Sequence, residues 1–315
     1  MKRALIFGAR GQDGTLLTEQ LTRRGYHVLG VDRGATDCSL GESLPPVEIN
    51  DPESVLAFFR RFVPDQVYYL AAFHHSSESA ELLAPSTIWT RSFDVQVNGL
   101  LNVLEAVRAA APMARLFYAA SSLIFGVPDE SPQTETVPPA PRCVYGITKT
   151  AGMQVCRFYR RHYGVFTSVG ILYNHESHLR TETFLSRKIV STAVRIKNGR
   201  ANELVLGDLS AQSDWGYAPD YVDAMHRMLA LSDPDDFIVA TGKLHRVQDW
   251  VEATFGVLGL SWRDYCREDP SLITRRPKPL IGDSSKLRRQ TGWCPETSFE
   301  DMIANMIERE GAVHV

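Results

Sequence analysis

The chain has 315 residues, with 37 acidic against 34 basic side chains and 44% of its residues hydrophobic. That length holds a large core, and a formal charge of −3 leaves no positive field of the kind that binds nucleic acid or an anionic membrane surface. No apolar run reaches the roughly 18 residues of a membrane span, the N-terminus lacks a secretory pattern, and five cysteines without a CxxC spacing fit a reduced, cytoplasmic protein.

In chain order, an apolar strand over 3–7 is followed by Gly8, Gly11 and Gly14, then by a helical pattern through Leu16, Leu17 and Leu21. Strand, glycine turn and helix are the ingredients of a dinucleotide cradle. Gly8 permits the tight turn, Gly11 admits a pyrophosphate to the backbone, and Gly14 lets the helix pack close to the strand. Phosphates sit on the N-terminal amides of such a helix, which brings Arg10, Gln12 and Asp13 into the cofactor set. A second strand over 27–31 leads to Asp32, about 20 residues beyond the glycines, where a carboxylate suits the ribose hydroxyls of NAD. Asp32 would repel the 2′-phosphate of NADP, which favours NAD; Arg33 and Arg10 are the groups that would meet that phosphate instead.

A third strand is expected over 47–49, with Asn50 and Asp51 at its cofactor-facing end. Asp51 caps a helix that begins at Pro52 and buries Val55, Leu56, Phe58 and Phe59. A fourth strand over 66–72 brings Leu70, Ala71 and Ala72 to the same end. A long helix is predicted over 93–110, a fifth strand over 115–120 running into Ser121 and Ser122, a helix over 144–162 and a sixth strand over 165–172. This alternation predicts an α/β fold of the Rossmann type, a doubly wound parallel sheet with helices on both faces. Beyond residue 172 the pattern loosens into helices over 183–197, 221–231, 247–258 and 299–310 with short strands over 204–206 and 237–240. A smaller α/β C-terminal cap that binds substrate is expected there. The expected division is 1–172 plus about 211–240 for the cofactor and about 173–210 plus 241–315 for the substrate.

Tyr145 and Lys149 stand one helical turn apart and share a face. A nearby ammonium lowers a phenol's pKa, which would let Tyr145 exchange a proton near neutral pH, and Lys149 is also placed to hold the nicotinamide ribose. Ser121 ends a strand where open α/β sheets bind ligands. His175 and His178 are spaced for a helical metal pair, but no third ligand presents itself and no metal is assigned. Cys143 has no base partner and reads as a packed thiol.

The ordered set of glycine turn, strand-end serine and Tyr/Lys pair resembles the extended short-chain dehydrogenase/reductase family. Along nearly its whole length the chain is similar to the GDP-mannose 4,6-dehydratases. The similarity is carried by residues 8–14, 64–68, 170–177, 183–189, 214–217, 220–222, 240–242, 276–277 and 282–283. Among them, Asn174, His175, Glu176 and Ser177, and Asp214, Trp215, Gly216 and Tyr217, are the most specific. The resemblance implies a nicotinamide cofactor, NAD(P), a GDP-sugar substrate, and a homo-oligomeric dimer or tetramer. It places His75, Ser122, Leu123, Asn174, Glu182, Thr183, Lys188 and Arg276 at the substrate, with Arg276 as a charge-assisted fork on the diphosphate.

One departure bears on the reaction. The dehydratases carry a glutamate after the fifth strand that moves the C5 proton, and the more distantly similar GDP-fucose synthases have a catalytic cysteine there. This chain has Leu123, which transfers no proton. Ser213, His178 with Leu179, and Gly34 depart from the family pattern as well. Ser121, Tyr145 and Lys149 suffice for hydride and proton transfer at a sugar carbinol, so the expected activity is reduction of a GDP-4-keto-6-deoxy sugar at C4. The alternatives are a C4 epimerase or oxidase that retains its cofactor, and a 4,6-dehydratase with its base moved to Glu78, Glu130 or Glu135. Retention of Ser121, Tyr145 and Lys149 together argues against a non-catalytic nucleotide-binding subunit.

Overall fold

The computed structural model describes residues 1–33, 35–38, 46–74, 83–273 and 278–313. The strands β1 (Arg3–Phe7), β2 (His27–Asp32), β3 (Ala35–Cys38), β4 (Gln66–Tyr69), β5 (Arg115–Ser121) and β6 (Thr167–Leu172) precede the cap. The strands β7 (Asn174–Glu176), β8 (Leu204–Leu206), β9 (Gln212–Tyr217), β10 (Asp236–Val239), β11 (Leu244–Arg246) and β12 (Cys266–Glu268) follow. Among the described residues the main sheet runs β10-β6-β5-β4-β1-β2-β3 and is parallel except for β3, which pairs antiparallel with β2.

The pleat decides what each face buries. On β1, Leu5 and Phe7 point to the side covered by α2 (Pro52–Phe62), α4 (Gly99–Ala110) and α5 (Val144–Tyr163). Ala4 and Ile6 point to the side covered by α1 (Gln12–Arg23), α7 (Ala218–Met228) and α9 (Ser285–Thr291). A strand buried on both faces must be apolar throughout, which is why β1 reads as an uninterrupted hydrophobic run. The cap has its own core, in which Ile189 and Val190 of α6 (Leu185–Lys197) meet Trp250 and Phe255 of α8 (Val247–Val257) and Met302 and Ile303 of α10 (Phe299–Val313).

Two sequence expectations are corrected. Residues 47–49 form no ladder, because their polar groups are satisfied otherwise: Asn102 Nδ2 donates to the Ile49 carbonyl at 2.9 Å, and Glu48 Oε1 accepts from the amide of Asn50 at 3.1 Å. The third strand is β3 instead. The helix expected over 93–110 starts earlier, as α3 (Pro85–Phe93), and passes through a π turn, Asp94–Asn98, before α4. That turn inserts Gln96 beneath the site, where it accepts from Phe73 N at 3.3 Å and donates to Thr148 Oγ1 of α5 at 2.7 Å. No described helix is long and apolar enough to cross a membrane.

Strand β9 leaves the main sheet altogether and pairs with β7 and β11. Asp214, fully buried on β9, accepts from the amides of Thr241 (3.0 Å) and Gly242 (2.9 Å) and from the Thr241 hydroxyl (2.6 Å). This knot fixes the cap against the carboxyl ends of the sheet strands, and the cleft between them is the site.

Candidate active site

The chain reverses direction across the sheet at β1, and a cavity of about 940 Å³ opens at that switch point, outside the carboxyl ends of the strands. Phe7 and Gly8 end β1 there, Val31 and Asp32 end β2, Leu70, Ala71 and Ala72 follow β4, and Ser121 ends β5. The volume is at the upper end for a small-molecule site, as a dinucleotide together with a sugar nucleotide requires.

The glycine turn is shaped for close approach. Gly8 has φ +85°, and a Cβ on it would lie 2.8 Å from the amide nitrogen of Ala71; a Cβ on Gly14 would lie 2.3 Å from the Gly8 carbonyl oxygen. Neither position admits a side chain, so the N-terminus of α1 stays open to a pyrophosphate, and the residues present fit a dinucleotide. Beyond the turn, Asp32 accepts from the amide of Arg10 at 3.0 Å and from that of Arg33 at 2.7 Å. One carboxylate thus holds both flanking arginines beside the ribose position, and each of its oxygens keeps a lone pair for a ribose hydroxyl.

At the other end, the amide of Leu123 donates to Ser121 Oγ at 3.2 Å and opens a short 3₁₀ turn, Ser122–Phe125. The turn rests on the first turn of α5, where a Cβ on Gly146 would come within 2.6 Å of the Leu123 carbonyl oxygen. Ser121, Leu123, Tyr145 and Lys149 therefore line one wall of the cavity. Lys149, 1% exposed, donates to the Ala119 carbonyl at 2.7 Å and lies 5.5 Å from the centroid of the Tyr145 ring.

The expectation that Lys149 lowers the Tyr145 phenol is corrected. Burial pushes that phenol up to about 12, and the charge that opposes this is the Arg180 guanidinium. Burial also pulls the Lys149 ammonium down to about 7, so the lysine offers the phenol a weakened charge.

The glycine turn is latched to the segment that follows β6. His175 directs Nε2 at Asp13 Oδ2 (2.9 Å) and Nδ1 at the Tyr173 carbonyl (2.7 Å). Both partners accept, so each bond needs a proton on the ring nitrogen that faces it. Burial alone would raise the Asp13 carboxyl, but His175 and Arg180 outweigh it and hold that group at about 2. Gln12 Nε2 donates to the His175 carbonyl at 3.0 Å and Gln12 Oε1 accepts from Ser177 Oγ at 2.8 Å.

Of the remaining expected residues, Asn174 lines the cavity and its Nδ2 donates to Ser213 Oγ at 2.8 Å. Asn50 and Asp51 lie outside the lining, where Asp51 accepts from the amide of Glu53 as a helix cap; Glu48 and Ile49 take their place. Ser122 is buried and faces away from the cavity lining. Glu182, Thr183 and Lys188 are outside it too, with Glu182 paired to Arg195 at 3.2 Å. His75 and Arg276 fall outside the described residues.

The structure adds His74, Phe184 and Arg180 to the lining. The His74 ring meets Tyr145 edge to face at 5.2 Å and stacks on Phe184 at 5.6 Å, and Arg180 covers Phe184 from 4.3 Å. Neither periodicity nor spacing marks these residues. Phe184 lies inside the segment 183–189, Arg180 lies between that segment and 170–177, and His74 adjoins His75 after the fourth strand.

The family model described as GDP-mannose 4,6 dehydratase matches residues 5–306. GDP-mannose 4,6 dehydratase 2 of Arabidopsis thaliana is 37% identical over 98% of this chain and 87% of its own length. Among solved structures, that of RMD from Pseudomonas aeruginosa complexed with NADPH superposes with a TM-score of 0.84 at 21% identity, covering 99% of this chain and 100% of that one. The UDP-glucose 4-epimerase of Thermus thermophilus in complex with NAD gives a TM-score of 0.80 at 25% identity, over 98% and 99% of the two chains.

Proposed function

The chain belongs to the GDP-mannose 4,6-dehydratase family, and from that membership we propose that it is a nicotinamide-dependent oxidoreductase that reduces a GDP-4-keto-6-deoxy sugar at C4. The observation that carries this reading is Leu123, an apolar side chain on the wall that also holds Ser121, Tyr145 and Lys149. No described carboxylate stands ready as a C5 base. Asp13 is bound by His175 and held at about 2, Asp32 is engaged by two amides, and Glu48 accepts from Asn50. Glu135 accepts from the amide of Ile238 at 2.9 Å, and neither it nor Glu130 lines the cavity. Glu78 falls outside the described residues.

Bound in the cleft, a reduced nicotinamide supplies hydride to the carbonyl carbon. Lys149 holds the cofactor's ribose, and Ser121 Oγ donates to the C4 oxygen. Tyr145 then gives its proton to that oxygen as negative charge develops. A phenol held up at about 12 is neutral at pH 7 and still more acidic than a sugar alcohol, so its protonation state suits reduction. The glycine turn, the Arg10 guanidinium and the backbone amides of Gln12 and Asp13 would hold the pyrophosphate, and Asp32 favours NAD over NADP. Asn174 on the cavity wall would meet the GDP-sugar, and the family pattern assigns Glu182, Thr183, Lys188, His75 and Arg276 to the same ligand although the first three stand outside the lining.

The cofactor lobe then comprises 1–172 with returns at about 218–240 and 285–293, since β9 pairs within the cap and Leu287 and Trp293 pack into the main-sheet core. The protein is cytoplasmic and acts as a homo-oligomer.

The relatives' names favour a second reading, 4,6-dehydration of GDP-mannose. One experiment separates the two: GDP-mannose and enzymatically made GDP-4-keto-6-deoxymannose are each supplied with both cofactors while nicotinamide absorbance and product mass are followed. Cofactor oxidation with the keto-sugar alone is expected, with loss of at least 100-fold in Tyr145→Phe. Water loss from GDP-mannose without an added enzyme overturns the reductase reading.

A further inference from the structure

Leu123 is 40% exposed although it lies inside the cavity, two residues beyond Ser121. Its backbone is not free to swing it away: its amide bonds Ser121 Oγ, and its carbonyl is wedged against Gly146. A large apolar side chain is therefore anchored by its backbone beside Ser121, on the wall that also carries Tyr145, and these two hydroxyls mark where the reacting oxygen sits. We propose that Leu123 is the specificity-determining contact for the sugar's C6 substituent, and that it selects a methyl group over a hydroxymethyl. This rests on the reading of Ser121 and Tyr145 as the pair that holds the C4 oxygen.

The argument is one of chemical matching. C4 of a hexose has two neighbours, C3 with a hydroxyl and C5 with C6. A side chain beside the C4 oxygen covers one of them. Leucine offers no donor or acceptor, so a C3 hydroxyl pressed on it would lose its water without replacement. A C6 methyl pressed on it removes apolar surface from both partners, which is favourable. A C6 hydroxyl in the same place keeps the contact area but strands a polar group. Apolar pockets discriminate against an added hydroxyl by roughly 10-fold to 100-fold.

GDP-mannose and GDP-6-deoxymannose differ only in that hydroxyl. Their dissociation constants are measured calorimetrically on the full-length protein saturated with reduced cofactor, which cannot exchange hydride with a sugar alcohol, for the native chain, Leu123→Gln and Leu123→Met. The native chain is expected to prefer the 6-deoxy sugar by at least about 10-fold. Leu123→Gln, similar in size but able to bond a hydroxyl, should reduce the preference to below about threefold, whereas Leu123→Met keeps it. Equal affinities in the native chain, an undiminished preference in Leu123→Gln, or binding of neither sugar overturns the inference. Because binding is read without turnover, a retained preference in a protein that fails to reduce the keto-sugar sinks the reductase reading alone.

Discussion

A lysine buried to 1% exposure is a cost to the fold, and Lys149 is buried in just this way at the base of the cleft. Burial holds its ammonium at about 7, well below the ordinary lysine value of about 10.4. A base whose pKa is depressed by folding destabilises the native state at every pH below the folded value. The effect fades as pH rises towards the unfolded one. Lys149→Met should therefore be inactive yet more stable at pH 6, by roughly 5 kcal/mol at most, since each tenfold loss of proton affinity on folding costs about 1.4 kcal/mol and the bond to Ala119 is lost. Between pH 7 and 10.5 the gain should shrink, as urea denaturation at several pH values would reveal; a constant difference would mean that lysine burial is not the cause. At this scale the sequence was only partly informative. Tyr145 and Lys149 are legible because helical periodicity alone brings them to one face, but whether the phenol is raised or lowered depends on burial, which no local pattern encodes.

The latch between α1 and the segment after β6 is a property of two elements and could not be read from either alone. Asp13 is a cofactor-turn residue by sequence, and His175 looked like half of a metal pair; the fold makes them each other's partner. The Asp13 carboxyl is depressed to about 2 from an unfolded value of about 3.9. A depressed acid contributes stability that is complete above the unfolded pKa and lost as pH falls through the folded one. Asp13→Asn should lower stability by about 2 kcal/mol at pH 7, with the two proteins converging between pH 4 and pH 2. It should also raise the KM for the cofactor more than it lowers kcat, because the turn loses its anchor while Tyr145 stays in place. A native-like cofactor KM with full stability at pH 7 would show the latch to be idle. The most specific family segments have a similar explanation. Asp214 bonds Thr241 and Gly242, so the segments at 214–217 and 240–242 form one buried knot and serve the fold before they serve the chemistry. Strands β7 and β11 went unseen because three residues are too few to show an alternation, and β3 because its apolar content is low. The main strands were visible because burial on both faces forces an apolar run.

At the scale of the molecule, the outer side of α4 and α5 carries large apolar groups that no described residue covers. Leu101 on α4 and Phe158 and Tyr163 on α5 are 39%, 47% and 51% exposed, while the opposite sides of both helices are sealed against the sheet. The patch is ordered from within. Tyr159 donates to Glu105, Arg108 lies 5.5 Å from the centroid of the Tyr163 ring, and Phe158 stacks on His162 at 4.1 Å. Large apolar groups on two neighbouring helices that run side by side in the same direction suit the proposed homo-oligomer, and a two-fold axis through the patch would pair it with itself. The native protein should sediment at twice the chain mass, with a melting temperature that rises with concentration. Leu101→Glu combined with Phe158→Glu should sediment as a monomer with unchanged far-ultraviolet dichroism, because charges placed at the centre of an apolar interface find no partner. Val257→Glu, at an exposed site at the end of α8 in the cap, should leave the dimer intact. A monomeric native protein, or a dimer that survives the double substitution, would assign this patch to the solvent. The cavity opens at the carboxyl ends of the sheet strands, whereas the patch lies on the outer side of α4 and α5. Dissociation should therefore lower the thermal midpoint while leaving kcat/KM for the keto-sugar within about twofold at 25 °C, a separation that a shared active site would not permit.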